Sequence, residues 1–367
     1  MRDGQVGNAT EFQLDVDATG CINWCCTGRG EDMHLQLESK DFSGGWTYLN
    51  WTGNMPCSPA DLVRCALTVG RTRLRSGNGQ SFWSGAEAQY RTAAVHLFFR
   101  NKSGFVSRSP AFNDLEQTEK GGVSFLAGMT LAKRFCEHVL STGHTVHLTR
   151  SKVACAITPP TTKSRPDLLV RMHDGTWFAM EAKGRTYRPG QHLFDQAKAQ
   201  VSVVTKINGV MPPFGIATCA SFDGSEHVLL QAQDPPPGSG DSGRIELSFD
   251  PVEALLAYYD PILSMIEPGP SVDVEVVGRT RCLLFAIPGS DVKVGIVEAL
   301  ARILRSRVLS LDAIDELILS QRPSWSPDGR RRSPRTQPEW SPLQSIGPDG
   351  IAVVLGTSWE SSFAETD

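Results

Sequence analysis

No apolar run in this chain approaches the roughly 20 residues that a membrane span needs, so the sequence predicts no transmembrane helix. The opening residues, MRDGQVGNATEFQLD, also lack the apolar stretch of a secretory signal, which leaves a cytoplasmic protein as the expectation. Paired C-x2-C spacings are missing too. The nine cysteines are an odd number, and their one local cluster is CINWCC (Cys21, Cys25, Cys26), followed by Cys57 and Cys65. A reducing compartment disfavours a disulfide framework. With no second pair mirroring the first, ordinary buried thiols outweigh a structural zinc on Cys21, Cys25, Cys26 and Cys57. There is no internal repeat, and a net charge of −4 carries no global nucleic-acid signature.

What is present is an ordinary globular composition, 40% hydrophobic and 21% charged, over 367 residues, enough for two domains or one large domain with additions. Residues 1–105 read as a β-rich accessory region. FQLDVD, MHLQLES, GGWTYLNWTG and AAVHLFFR are its predicted strands, and SPADLVRCAL its helix, with Ser58 as N-cap and Pro59 at the first helical position. Trp46 and Trp51 are expected in the core. Residues 106–232 change period. A long helix is predicted from Gln117 or Glu119 to Leu140, stopped by STGH with Gly143 in the usual C-terminal position. Strands then follow at 145–150, at PDLLVRM and at TWFAMEAK, with a helix over 190–207 and a strand over 214–222. Residues 233–244 form a Pro/Gly linker. An α/β extension over 245–320 carries helices at DPVEALLAYYDPILSMIE and VKVGIVEALARILRSRVL, and strands at 272–278 and RCLLFAI. Residues 321–367 are a Pro/Arg-rich tail containing RRRSPR, with IAVVLGTSW as a last strand. Helices alternating with strands predict a mixed α/β sheet covered on both faces.

One stretch places charge where a sequence usually avoids it. In 165-RPDLLVRMHDGTWFAMEAKGR-185 two apolar strands flank the turn HDG, yet Asp167 opens the first, and Glu181 and Lys183 close the second. Residues two apart on a strand share a face, so Glu181 and Lys183 project together and Ala182 turns into the opposite layer. Closing the hairpin at HDG pairs Met172 with Thr176 and brings Asp167 opposite residue 181. Two neighbouring carboxylates repel unless a cation sits between them. A hard divalent ion is held by one or two carboxylates plus water and substrate phosphates, and a nearby lysine stabilises a phosphorane as a point charge. The alternative is an edge-strand salt bridge worth at most about 1 kcal/mol. Between residues 133 and 206, twelve Lys and Arg face five Asp and Glu. That local excess suits a phosphate-binding face or a solvated basic surface.

Pro166-Asp167, a gap of 13 residues, and Glu181-Ala182-Lys183 resemble the signature of the PD-(D/E)xK nuclease superfamily, and the resemblance extends over element order across residues 113–222. It implies a restriction-endonuclease-like core of helix, three-stranded meander, helix and strand. It implies a metal-dependent nuclease, acting on nucleic acid with DNA ranked before RNA, in defence, restriction or repair. Asp167, Glu181 and the Ala182 carbonyl would hold Mg2+ or Mn2+, with Lys183 catalytic. Many members add an acid from the first core helix, for which Glu119 is the choice here, Glu116 stands close behind, and Glu137 is too near the other end. Gln196 or Gln200 would fill a polar position on the following helix, and Arg185 and Arg188 would contact nucleic acid. His173 reads as a turn residue, and His138 and His144 as positive charges at a helix end. A homo-oligomer or a protein partner could form through the flanking regions. The rival reading keeps the fold as a catalytically inactive nucleic-acid-binding or assembly protein.

Overall fold

The structure, a computed structural model, describes residues 33–70, 80–148, 165–234, 245–266, 272–306, 310–321 and 341–364. The cluster Cys21, Cys25 and Cys26, the strand at FQLDVD and the RRRSPR run lie outside the described residues, as does most of the 233–244 linker. Cys57 is buried and unbridged, and burial pushes its thiol up to about 12, which keeps it a neutral apolar side chain.

Among the described residues nine strands form a mixed central sheet, and they come from both sides of the anticipated boundary at 105. The N-terminal part gives β1 (His34–Lys40), β2 (Trp51–Pro56), β3 (Phe99–Lys102) and β4 (Phe105–Arg108). The middle gives β5 (His144–His147), β6 (Leu168–Arg171) and β7 (Trp177–Gly184). Next, β8 (Val204–Ile207) leaves this sheet to pair with a later strand, while β9 (Ile216–Phe222) and β10 (Val228–Gln233) complete it. The order is β3-β4-β1-β10-β9-β7-β6-β5, with β2 also paired to β1. β5, β6 and β7 form an antiparallel meander, β9 lies parallel to β7, and β1 lies parallel to β10.

The helices are α1 (Pro59–Thr68), α2 (Gln80–Phe98), α3 (Pro110–Asp114), α4 (Gln117–Val139) and α5 (Gln191–Ser202). The C-terminal part begins with β11 (Ile245–Leu247), the partner of β8, and α6 (Pro251–Met265). It continues with β12 (Val272–Val277), β13 (Thr280–Ala286), β14 (Val292–Val297), α7 (Glu298–Leu304) and α8 (Leu311–Gln321). β15 (Gln344–Ile346), β16 (Ile351–Leu355) and α9 (Ser358–Ser362) are the last elements of the described residues. β12-β13-β14-β16-β15 form a second, antiparallel sheet, so the last predicted strand is present and pairs there. None of the described helices is long and apolar enough to cross a membrane.

Local chemistry explains the element ends, including those the sequence reading misplaced. α1 starts as anticipated, with Ser58 and Asp61 in a reciprocal capping box ahead of Pro59. Of AAVHLFFR, residues 93–98 end a helix rather than form a strand, because Ala94, Val95 and Phe98 bury themselves at helical spacing, and only Phe99 and Arg100 enter β3. GGWTYL forms a 3-10 helix whose Gly44 has φ 60°, and only WTGNMP extends as strand. VKVGIV is β14 rather than the start of a helix, since Val292, Val294 and Ile296 alternate into the core. The predicted 190–207 helix stops at Ser202, and β8 takes the β-branched remainder. At the end of α4 the left-handed residue is Ser141 (φ 52°), not Gly143. Gly143 answers a need for space: a Cβ there would stand 2.8 Å from Asp349.

That approach belongs to a buried charged network which the sequence did not disclose. Lys133 of α4, fully buried, donates to Tyr258 Oη at 2.8 Å and to Asp349 Oδ2 at 3.1 Å. It also lies 3.2 Å from Glu137, which Arg64 of α1 grips with a second bond of 2.8 Å. Opposing charges hold Asp349 low and Lys133 high against the desolvation that burial imposes on both. The network ties α1, α4, α6 and the turn before β16 together, so the C-terminal sheet is fastened to the central one. Glu137 is therefore structural. Part of the basic excess over 133–206 is internal as well, since Lys133, Arg134 and Arg171 sit in ion pairs with Asp349, Asp61 and Asp315.

Candidate functional site

The hairpin closes as its sequence demands. Met172 N donates to Thr176 O at 2.8 Å around the HDG turn, and Asp174 braces the turn by accepting from Thr176 N. Leu168 then pairs with Met180, which sets Asp167 opposite Glu181. Side chains complete the register: Asp167 N donates to Glu181 Oε2 at 2.9 Å, and Ala182 N donates to Asp167 Oδ2 at 3.3 Å. Lys183 Nζ donates to the other Glu181 oxygen. Asp167, Glu181 and Lys183 are thus brought together at the open end of the β6–β7 hairpin.

The two faces of β7 have opposite characters. Met180, Ala182 and Gly184 face α4, where the approach is so close that a Cβ on Gly184 would lie 1.7 Å from Ser124 O. Cys136 of α4 also touches Met180 there. Glu181 and Lys183 share the other face with a polar row that crosses the sheet. Lys183 pairs with Cys219, Cys219 with Gln231, and Gln231 with Glu38. Gln231 Nε2 donates to Glu38 at 2.7 Å, while its Oε1 is buried without a partner. α5 packs against β7 and β9 and buries Phe194, Ala197 and Val201. The row was missed because β10 was not foreseen, although the alternation of LLQAQ is a strand signal.

Burial acts strongly on Glu181. Glu181 is 0% exposed, and desolvation together with the Asp167 charge pushes its carboxyl up to about 7 despite the Lys183 contact. Lys183 keeps 23% of its side chain exposed and so reaches both the buried acid and solvent. Two carboxylates against one ammonium leave a surplus negative charge at a partly buried point. That donor set fits a hard divalent cation, with Asp167 and Glu181 as its protein ligands, and the cation would relieve the repulsion that raises Glu181. Ala182, whose carbonyl was the third anticipated ligand, has its side chain in the core as expected.

The remaining anticipated residues divide. Glu119 is exposed and accepts from Glu116 N at 3.0 Å in the capping box that begins α4. Among the described residues no three His, Cys, Asp or Glu side chains come together as a metal group, so Glu119 does not join Asp167 and Glu181. Helix-end chemistry has claimed it. Gln196 is exposed and bonds His192 one turn away, whereas Gln200 donates to Arg165 O at 3.2 Å, beside Asp167. Arg185 donates to Gly184 O, and its N–H extends the β7–β9 ladder to Ala220 O. Arg188 reaches back across the polar face to Glu38 at 2.8 Å. His138 and His144 do not carry the anticipated positive charge, because burial drives both down to about 3. Trp46 and Trp51 pack against the core as foreseen. Comparison with protein-family models, with curated proteins and with solved structures finds no match to this chain.

Proposed function

We propose that the chain is a metal-dependent nuclease with a restriction-endonuclease-like core, hydrolysing phosphodiester bonds in nucleic acid, DNA before RNA, as a cytoplasmic protein. The observation that carries the reading is the convergence of Asp167, Glu181 and Lys183 at one hairpin end. The element order α4, β5-β6-β7, α5, β9 supports the core assignment. A bound Mg2+ or Mn2+ would supply a water of lowered pKa and neutralise charge on the phosphodiester. Asp167, held by the Ala182 N–H, and Glu181, held by the Asp167 N–H, are pre-aimed by the backbone, so little reorganisation is needed to bind a cation. Lys183, paired with Glu181 and open to solvent on one side, would offer its ammonium to a phosphate oxygen or to the attacking water.

The test is incubation of plasmid and single-stranded DNA with the protein in Mg2+, Mn2+ or EDTA, beside Asp167→Ala and Lys183→Ala. Metal-dependent cleavage absent from both variants supports the reading. Metal-independent cleavage, or cleavage that survives both substitutions, overturns it. The engagement of Glu119 in a helix cap favours a second reading, a protein that binds nucleic acid with this fold and does not cleave it. It predicts equal affinity in all three proteins and no product.

A further inference from the structure

Beyond the last residue of β7 the chain does not leave the sheet cleanly. Thr186, Tyr187 and Arg188, with Arg108 and Phe222 at the ends of β4 and β9 and with Asp223, line an open cleft of about 340 Å3. That volume lies at the low end of small-ligand sites and is the scale of a single nucleotide. Thr186 is three residues from Lys183, about 10 Å along an extended chain, so the cleft borders the hairpin end.

The lining combines two chemistries. Tyr187 is 67% exposed, an aromatic ring that the fold leaves uncovered beside a cavity. Phe222 forms part of the floor, and the Arg108 guanidinium lies 5.2 Å from its ring centroid. Positive charge dominates the rim. Arg108 shares Glu226 with Arg100 and Lys102, three cations to one carboxylate, and Arg108 Nε is buried with no hydrogen-bond partner. Arg188 is 57% exposed and anchored only at its tip by Glu38. The one acid, Asp223, is turned toward its own loop, with Oδ1 accepting from Ser225 N, Ser225 Oγ and His227 N. An uncovered ring, a one-nucleotide cavity and surplus guanidinium charge are the parts of a stacking platform for an unpaired base with its phosphate.

We infer that this cleft seats one unpaired nucleotide of the substrate, its base stacked on Tyr187 and its phosphate between Arg108 and Arg188. The inference rests on the nuclease reading and narrows its substrate to single-stranded nucleic acid or single-stranded flanks of a duplex. A paired base would have to leave its stack to enter, which disfavours continuous duplex.

The experiment is fluorescence anisotropy of a labelled single-stranded 12-mer and of the matching duplex, in EDTA so that nothing is cut. The proteins are the full chain, Tyr187→Ala, Tyr187→Phe, Arg188→Ala and Lys183→Ala. The expected result is tighter binding of single strand than duplex. Tyr187→Ala should bind single strand about tenfold more weakly, Tyr187→Phe should bind like the parent, and Arg188→Ala should flatten the dependence on salt. Both tyrosine substitutions fall at one exposed position, so folding is not at stake. Single-strand affinity unchanged in Tyr187→Ala, equal losses for single strand and duplex, or no single-strand binding by the parent would each overturn the inference. The two readings fail separately. Cleavage lost with Asp167→Ala while Tyr187→Ala binds normally removes the cleft alone. No cleavage by the parent, with a Tyr187-dependent preference for single strand, removes the nuclease and keeps the cleft.

Discussion

Replacing Glu181 with glutamine should make the metal-free protein more stable at pH 8. Burial and the neighbouring Asp167 push the Glu181 carboxyl up to about 7 from an ordinary 4.5. Each pH unit between those values is worth about 1.4 kcal/mol, so the ionised carboxylate costs the folded chain about 3 kcal/mol. The sign follows from proton counting. Between pH 4.5 and 7 the folded protein keeps a proton that the unfolded chain has released. The stability this group contributes is therefore complete below pH 4.5, falls as pH rises, and levels off above 7. Glutamine retains an oxygen for the Asp167 N–H and has nothing to titrate. Urea unfolding followed by circular dichroism, in EDTA at pH 5, 6, 7 and 8, should show the variant ahead by about 2–3 kcal/mol at pH 8 and level with the parent at pH 5. Adding Mg2+ at pH 8 should stabilise the parent by mass action and the variant far less. Parallel pH profiles for the two proteins, or a variant less stable at pH 8, would refute the argument.

Three other outcomes are expected. Asp349→Ala leaves the fully buried Lys133 ammonium with only Glu137, which Arg64 already shares, and should cost about 3 kcal/mol in urea unfolding; a loss below about 1 kcal/mol would mean that the network is not holding the C-terminal sheet. Gly184→Ala forces a Cβ against the Ser124 carbonyl and should cost about 3 kcal/mol or more, the upper range for overpacking, because the obstacle is backbone. An unchanged unfolding midpoint would contradict the close approach of α4 to β7. His138 and His144 are held near 3, so their imidazole signals in NMR should not titrate between pH 8 and 5. Their folded values lie below the unfolded 6.5, so they stabilise the protein above that pH and the contribution drains away as pH falls towards 3. A midpoint near 6.5 for either ring would contradict its burial.

The hairpin was legible because its information is local. A turn of fixed chemistry sets the register, the register sets which residues face one another, and Asp167, Glu181 and Lys183 need nothing more distant. α4 could be read for the same reason, from its period, although the left-handed residue that ends it is Ser141 and not the anticipated Gly143. Glu119 shows the limit of that reasoning: an acid three residues after an N-terminal residue is as well suited to a cap as to a metal, and sequence alone does not choose. Long-range pairings were closed to it altogether. Nothing near Glu38 announces that Gln231 lies beside it, and nothing near Lys133 announces Asp349, 216 residues later. AAVHLFFR and VKVGIV failed in another way. Short apolar runs of β-branched and aromatic residues satisfy helix and strand equally, and the neighbouring layers decide.

The parallel pairing of β1 with β10 carries a consequence for how the chain reaches its native state. Gln36 and Leu229 are partners, so one edge of β1 stays open until nearly two hundred further residues have left the ribosome. β2 can fold back on β1 at once, because a short connection costs little closure entropy, but the other side has to wait. During that wait a half-apolar strand presents unpaired amides to any neighbouring nascent chain, the setting in which domain swapping and aggregation begin. Folding should accordingly be slow and dominated by distant contacts. Truncation anywhere before β10 would leave the N-terminal hairpin without its sheet, and with it the polar row that leads to Lys183.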